Sequence, residues 1–293
     1  KCKINLIDTS GQGDFLTDSL LALSVADSAV VVVGAADGVQ VYTEKTWQES
    51  ERLGLPRLIF VNKMDRERAD FDQALEQIQR LLSEKAVPVT LPIGREGGFA
   101  GVVDLLHQRA VRFSDDGREV LVGEVPADLA AACTTARERL IEAVAASDDE
   151  LMTKFFDAGT LSDDELTRGL SAAVRAKLLF PVLCGAAGQN RGVQPLLDAM
   201  ATLLPSAGES HTRVGKDRHD KPLKRQPKVS DPLTAYVFKI IPSEVGKMAL
   251  CRVVSGKLTA DSPIYNATHD KGERIGPLYV FTAGKKHTIP EAY

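Results

Sequence analysis

Leu58-Ile59-Phe60-Val61-Asn62-Lys63-Met64-Asp65 sets four apolar residues directly against a polar tetrad. A short continuous apolar run of this kind predicts a strand covered on both faces. Residues just past the carboxyl end of such a strand line the ligand crevice of a parallel sheet. A carboxylate at Asp65 can accept from two adjacent N–H donors, the pair that guanine offers through its ring N–H and exocyclic amino group. Adenine lacks that pair, and sites built on such hydrogen bonds reject the wrong ligand by roughly 10⁴-fold. Lys63 can lay its aliphatic stem across the base, and Asn62 can tie neighbouring loops together. The same residues also serve as an ordinary cap or turn, since Asn and Asp are common after strands.

Working outward, the flanking chain alternates strand and helix. Ala29-Val30-Val31-Val32-Val33 predicts a second buried strand, and Ile4-Asn5-Leu6-Ile7 a further short one. Helical spacing of apolar residues covers Asp14 to Asp27, Thr43 to Leu53 and Asp70 to Leu82. Pro181-Val182-Leu183-Cys184, followed by a helix from Gly192 to Leu204, continues the pattern. Short connections between alternating elements predict an α/β fold, a parallel sheet covered by helices. Val87 to Phe180 breaks the rhythm with strand-like pieces and then alanine-rich helices, which predicts an α+β insertion at about 87–180.

Two more strand ends carry residues of interest. Asp8-Thr9-Ser10-Gly11-Gln12 follows the first expected strand. There an aspartate can hold magnesium through water, a glycine lets backbone approach a phosphate, and Gln12 can orient a water. Asp-x-x-Gly is equally an ordinary turn. Cys184-Gly185-Ala186-Ala187 ends the last strand, where small residues let backbone amides approach the guanine carbonyl. On its own that is a common glycine turn; its weight comes from order, three loops after three strands.

Composition sets the frame. The 293 residues are 44% hydrophobic and 26% charged, with a formal net charge of −4, which does not suggest a nucleic-acid binder as a whole. The four scattered cysteines argue against a zinc site or a disulfide framework and predict a reducing, cytoplasmic setting. The five histidines show no ligand spacing. No apolar run reaches the length of a membrane span, so no membrane partner is expected. Seven basic residues (Arg213, Lys216, Arg218, Lys221, Lys224, Arg225 and Lys228) stand against Asp217 and Asp220, in a polar stretch that predicts a basic linker over 206–230. Strand-like runs at Leu233–Ile241, Met248–Val254 and Gly276–Phe281, without helical period, predict a small all-β domain over 231–293. That segment is short for a closed barrel.

Together these residues resemble the elongation factor G family of translational GTPases. Asp8 to Phe15 is similar to its switch II segment, and Asn62-Lys63-Met64-Asp65 to its guanine motif. Leu91-Pro92-Ile93-Gly94 and Gly101-Val102-Val103-Asp104-Leu105 resemble its inserted subdomain. Pro181 to Cys184 with Gly192-Val193-Gln194-Pro195-Leu196 resembles its third base-contacting loop and the following helix. Asp231-Pro232, Phe238-Lys239-Ile240 and Val254-Ser255-Gly256 resemble the start of its second domain, a β-barrel.

The resemblance implies a GTP-binding domain over 1–205, GTP or GDP and Mg²⁺ as ligands, and ribosome-dependent GTP hydrolysis coupled to translocation. It implies nucleotide contacts at Asp8, Thr9, Ser10, Gly11, Gln12, Asn62, Lys63, Met64, Asp65, Gly185, Ala186 and Ala187, with Asp8 near Mg²⁺ and Gln12 catalytic. Partners would be rRNA and ribosomal proteins, with mRNA and tRNA reached indirectly, for a monomeric cytoplasmic protein. Two departures stand out. No Gly-x-x-x-x-Gly-Lys-Ser/Thr phosphate loop occurs in these residues, so by themselves they are expected to bind GTP weakly and not to hydrolyse it. Ser10 and Gln12 stand where the family has proline and histidine; glutamine does analogous work in Ras-like enzymes. Two other outcomes stay open: a non-hydrolysing, GTP-sensing ribosome-binding paralogue, and a ribosome-protection or release factor, against which the insertion argues.

Overall fold

A computed structural model of the protein describes residues 2–114, 116–209, 213–216, 221–243, 246–282 and 284–293. The chain divides into two compact units, Lys1–Pro205 and Ser206–Tyr293.

The first unit starts, after a 3-10 turn at Gly13–Phe15, with α1 (Leu16–Val25), β1 (Ala29–Gly34), α2 (Val41–Arg52), β2 (Arg57–Asn62), α3 (Phe71–Leu81) and β3 (Ala86–Pro88). Helix α3 shows why the pattern folds this way. Asp70 caps it by accepting from the Gln73 N–H, and Phe71, Ala74 and Ile78 place one face in the core. Beyond β3 comes an antiparallel sheet of β4 (Thr90–Ile93), β5 (Gly101–Asp104), β6 (Arg109–Phe113) and β7 (Val120–Gly123). Helices α4 (Ala130–Ala145), α5 (Asp149–Ala158) and α6 (Asp163–Arg175) follow, then β8 (Phe180–Cys184) and α7 (Val193–Leu203).

Strands β1, β2, β8 and β3 form one parallel sheet in that order. Its faces separate two cores by the alternation of strand side chains. Leu58, Phe60 and Leu183 join residues of α4 and α6, including Leu140, Val144, Leu166 and Leu170. Ile59, Val61 and Val182 join Trp47 of α2 and Phe71, Ala74 and Ile78 of α3. The insertion lies between β3 and β8. Val87 and Phe180, which composition assigns to it, instead belong to the parallel sheet, where Val87 pairs with Pro181 and Ala86 with Phe180.

The expected strand at Ile4–Ile7 is not formed. Residues 2–11 adopt neither helix nor strand, and Leu6 and Ile7 are 71% and 54% exposed. A strand is held by hydrogen bonds to a neighbour, and no described strand pairs with this segment.

The second unit consists of β9 (Arg213–Lys216), β10 (Pro222–Arg225), β11 (Thr234–Ser243), β12 (Gly246–Ser255), β13 (Leu258–Thr259), β14 (Pro263–Asn266), β15 (Lys271–Arg274), β16 (Leu278–Thr282), β17 (Lys285–Ile289) and β18 (Glu291–Ala292). They pair antiparallel as β9–β10, β11–β12, β13–β18, β14–β15 and β16–β17. The basic stretch read as a linker therefore contains a two-stranded ladder, and Arg225 Nε donates to Thr234 Oγ1 at 3.0 Å. Asp217, Arg218, His219, Asp220 and His211 lie outside the described residues. Gly256 has φ +71, and a Cβ there would fall 2.6 Å from Leu233 backbone, so the Val-Ser-Gly turn requires glycine. No helix among the described residues is long and apolar enough to cross a membrane.

Candidate functional site

The carboxyl ends of β2 and β8 lie side by side, with Val61 opposite Cys184. Past that pair the two chains stay hydrogen-bonded. The Gly185 N–H donates to Val61 O at 2.9 Å, and the Met64 N–H donates to Gly185 O at 3.1 Å. Asn62 Oδ1 accepts from the Lys63 N–H at 2.8 Å and from the Ala187 N–H at 3.0 Å. The amide of Asn62 therefore holds both loops in one rim.

Each remaining residue of the rim has a distinct environment. Met64 is 1% exposed and belongs to the core, which anchors the loop. Lys63 has φ +64, a left-handed conformation uncommon for a non-glycine residue, and its side chain is exposed. Asp65 is half-buried, and its carboxylate makes no hydrogen bond or ion pair among the described residues. A partnerless carboxylate beside a preformed loop suits a ligand that brings its own donors. Gly185 is buried, and a Cβ on it would lie 2.7 Å from the Phe60 ring and 2.6 Å from Arg191 O, so no side chain fits there.

Behind the rim, the Cys184 N–H donates to Thr90 Oγ1 at 3.0 Å. Burial pushes the Cys184 thiol up to about 12, with the Thr90 hydroxyl opposing it. Ala186 and Arg191 close the loop by mutual backbone hydrogen bonds of 2.8 and 3.2 Å. The loop's far side meets the inserted sheet. Asn190 Nδ2 donates to Gly117 O at 2.8 Å, and an Arg191 guanidinium nitrogen donates to Phe99 O at 2.6 Å. Sequence reasoning missed Thr90, Asn190 and Arg191. The available signal was turn chemistry in Gln189-Asn190-Arg191-Gly192, where Asn190 and Gly192 take left-handed φ values of +53 and +83.

Asp8, Thr9, Ser10, Gly11 and Gln12 are all exposed. Ser10 Oγ accepts from the Gln12 N–H at 3.2 Å, and Ser10 O accepts from Ser19 Oγ at 3.1 Å. Among the described residues, no hydrogen bond or ion pair joins these five to 62–65 or 184–187. Of three loops expected after three strands, the structure joins two. Gly11 has open space around it, whereas a Cβ at Gly13 would lie 2.0 Å from the Tyr42 hydroxyl. The closer packing is therefore at Gly13, against the Tyr42 side chain.

Comparison with known proteins agrees with this architecture. Residues 1–206 match the family model described as the elongation factor Tu GTP binding domain. The chain is 38% identical to elongation factor G of Rhodopseudomonas palustris (strain BisB18), over 99% of this chain and 43% of that protein. A crystal structure from Thermus thermophilus is similar with a TM-score of 0.79 at 31% identity, covering 96% of this chain and 39% of that one. The chain thus spans less than half the length of both relatives. A parallel sheet with two coupled loops at its carboxyl edge, under a family model that spans the whole first unit, leads to one assignment: the chain belongs to the elongation factor Tu GTP-binding-domain family, in its elongation factor G-like branch.

Proposed function

We propose that this chain supplies the guanine-recognition part of an elongation factor G-like GTPase that hydrolyses GTP on the ribosome and couples hydrolysis to movement of tRNA and mRNA. The observation that carries the proposal is the Asn62 bridge to Ala187, three residues before an Asp65 carboxylate that has no partner among the described residues. In it Asp65 accepts from the ring N–H and amino group of guanine, the Lys63 stem covers one face of the base, and the small residues Gly185 to Ala187, whose N–H groups are held by Val61 O, Arg191 O and Asn62 Oδ1, leave room for its carbonyl edge.

The base half of the ligand fits the residues present. For Mg²⁺ only Asp8 is proposed, through water, and no cluster of three metal-ligating side chains occurs among the described residues. When bound, the ion neutralises phosphate charge. Gln12 would orient the attacking water, and Ser10 Oγ holds the Gln12 backbone for that role. Residues 1–205 serve as the nucleotide domain, and 231–293 as the start of a β-barrel domain. rRNA and ribosomal proteins are the proposed partners of a monomeric, cytoplasmic factor.

The glutamine at position 12 supports a second reading, a GTP-sensing ribosome-binding protein that does not hydrolyse. Phosphate release by the natural full-length protein, with and without ribosomes, separates the two. Stimulation by ribosomes, lost in Gln12→Ala and kept in Gln12→His, is expected. Release that never exceeds the ribosome-free background would overturn the hydrolytic reading.

A further inference from the structure

The loop from Gly185 to Gly192 carries Ala187, and its contacts with β2 and the loop after it fall at Gly185 and Ala187. The inserted sheet grips it from the other side. In the turn between β6 and β7, Gly117 O accepts from Asn190 Nδ2 at 2.8 Å and from Gln194 Nε2 at 3.4 Å. Gly117 has φ +66, and a Cβ on it would fall 2.2 Å from Gln189 O, so the turn lies directly against the loop. Phe99, 1% exposed, presents the carbonyl that takes the Arg191 guanidinium. The same sheet reaches the other base loop: Glu96 Oε1 accepts from the Arg68 N–H at 2.8 Å, three residues past Asp65.

We infer that the inserted antiparallel sheet is a positioning element for the base pocket, with Asn190 as its principal contact, and that it sets the rate at which guanine nucleotide leaves. The inference rests on the base-pocket reading above. A surface loop tied only at its ends opens locally at little cost, and contacts that hold it in the bound conformation slow ligand loss. The Asn190 side chain makes no hydrogen bond to the proposed base contacts, while its backbone N–H donates to Ala187 O at 3.0 Å. It acts through Ala187, whose N–H is held by Asn62 only while the loop keeps its course.

The test is release of a fluorescent GDP, chased with unlabelled GDP, from the natural full-length protein. Asn190→Asp keeps the side-chain shape but removes the donor facing the Gly117 carbonyl. Asn190→Gly keeps the left-handed backbone accessible and removes the side chain. Both variants are expected to release GDP about tenfold faster, from the loss of one tying hydrogen bond. Glu96→Ala, at the other loop, is expected to act in the same direction. Preference for GDP over ADP is retained in all three, and thermal melting of nucleotide-free protein stays close to wild type; a merely structural role would instead lower melting and leave release alone. Unchanged release with base preference intact overturns the inference by itself. A wild-type protein that binds ADP as well as GDP overturns the base-pocket reading and this inference with it.

Discussion

Asn62 and Ala187 stand 125 residues apart in sequence, yet one amide oxygen of Asn62 holds the Ala187 N–H at 3.0 Å while also accepting from Lys63. The loops at two strand ends are thereby joined through one side chain. Both donors to that oxygen are backbone N–H groups, so the bridge does not depend on a second flexible side chain.

Removing this acceptor is expected to separate affinity from stability. In Asn62→Ala the two N–H groups lie near the surface and regain water, so unfolding free energy falls by only about 1 kcal/mol. Guanine-nucleotide affinity of the full-length protein falls about tenfold or more, because both loops lose their common anchor. Titration with fluorescent GDP alongside urea unfolding measures both quantities. Equal affinity in wild type and variant would remove Asn62 from the site.

On the proposed reading, Asp65 carries the base choice. Asp65→Asn replaces two acceptor oxygens with one acceptor and one donor group, which matches xanthine, whose second carbonyl stands where guanine has its amino group. Competition between GTP and xanthosine triphosphate is expected to shift toward the latter by about 10²-fold or more. An unaltered preference for GTP in the variant would show that Asp65 does not read the base.

How much of this was legible in sequence depended on where each element finds its partners. Leu58–Val61 and Ile4–Ile7 look alike as apolar runs, but only the first has strands on both sides, β1 and β8. The second failed because a strand's hydrogen bonds belong to a neighbour that a local pattern does not reveal. The meeting of the Asn62 and Gly185 loops was legible because strand ends and small residues mark the carboxyl edge of a parallel sheet. Asn190, Gly117 and Thr90 were not, since their meaning arises only where the insertion folds back against the loop. The basic stretch misled for another reason: β9 and β10 pair through backbone, which needs no apolar side chains.

Arg57, the first residue of β2, is 1% exposed, with its guanidinium 4.0 Å from the Trp47 ring and 4.4 Å from the Phe180 ring. One nitrogen donates to Trp47 O at 3.3 Å, another lies 3.9 Å from Glu51, and Nε has no hydrogen bond among the described residues. Burial lowers its pKa, against the opposing pull of Glu51. Shape therefore matters more than charge at this position. Arg57→Met is expected to change unfolding free energy by less than about 1.5 kcal/mol, because an apolar chain fills the slot without desolvating a cation. Arg57→Ala leaves a cavity and loses about 2–4 kcal/mol. Urea unfolding in which methionine proves as damaging as alanine would show that the stacked charge itself is required.

Acid stability reports on the insertion's last helix. Glu165 closes a capping box at the start of α6, where its carboxylate accepts from Ser162 Oγ at 2.8 Å and from the Ser162 N–H at 3.1 Å. Lys154 of α5 approaches the other oxygen at 3.1 Å. The Ser162 hydroxyl first, then Lys154, lower the Glu165 pKa from 4.5 to about 2. A carboxyl depressed in the folded state stabilises the protein fully above its unfolded pKa. That contribution is lost as pH falls from about 4.5 toward 2, where the folded form also binds the proton. Glu165→Gln can still accept from Ser162 but does not titrate. It is therefore expected to be less stable than wild type at neutral pH, with the difference shrinking as pH falls through that window. Urea midpoints measured across the window check this, and curves that stay parallel down to the acid limit would mean that Glu165 is not held ionised by its cap.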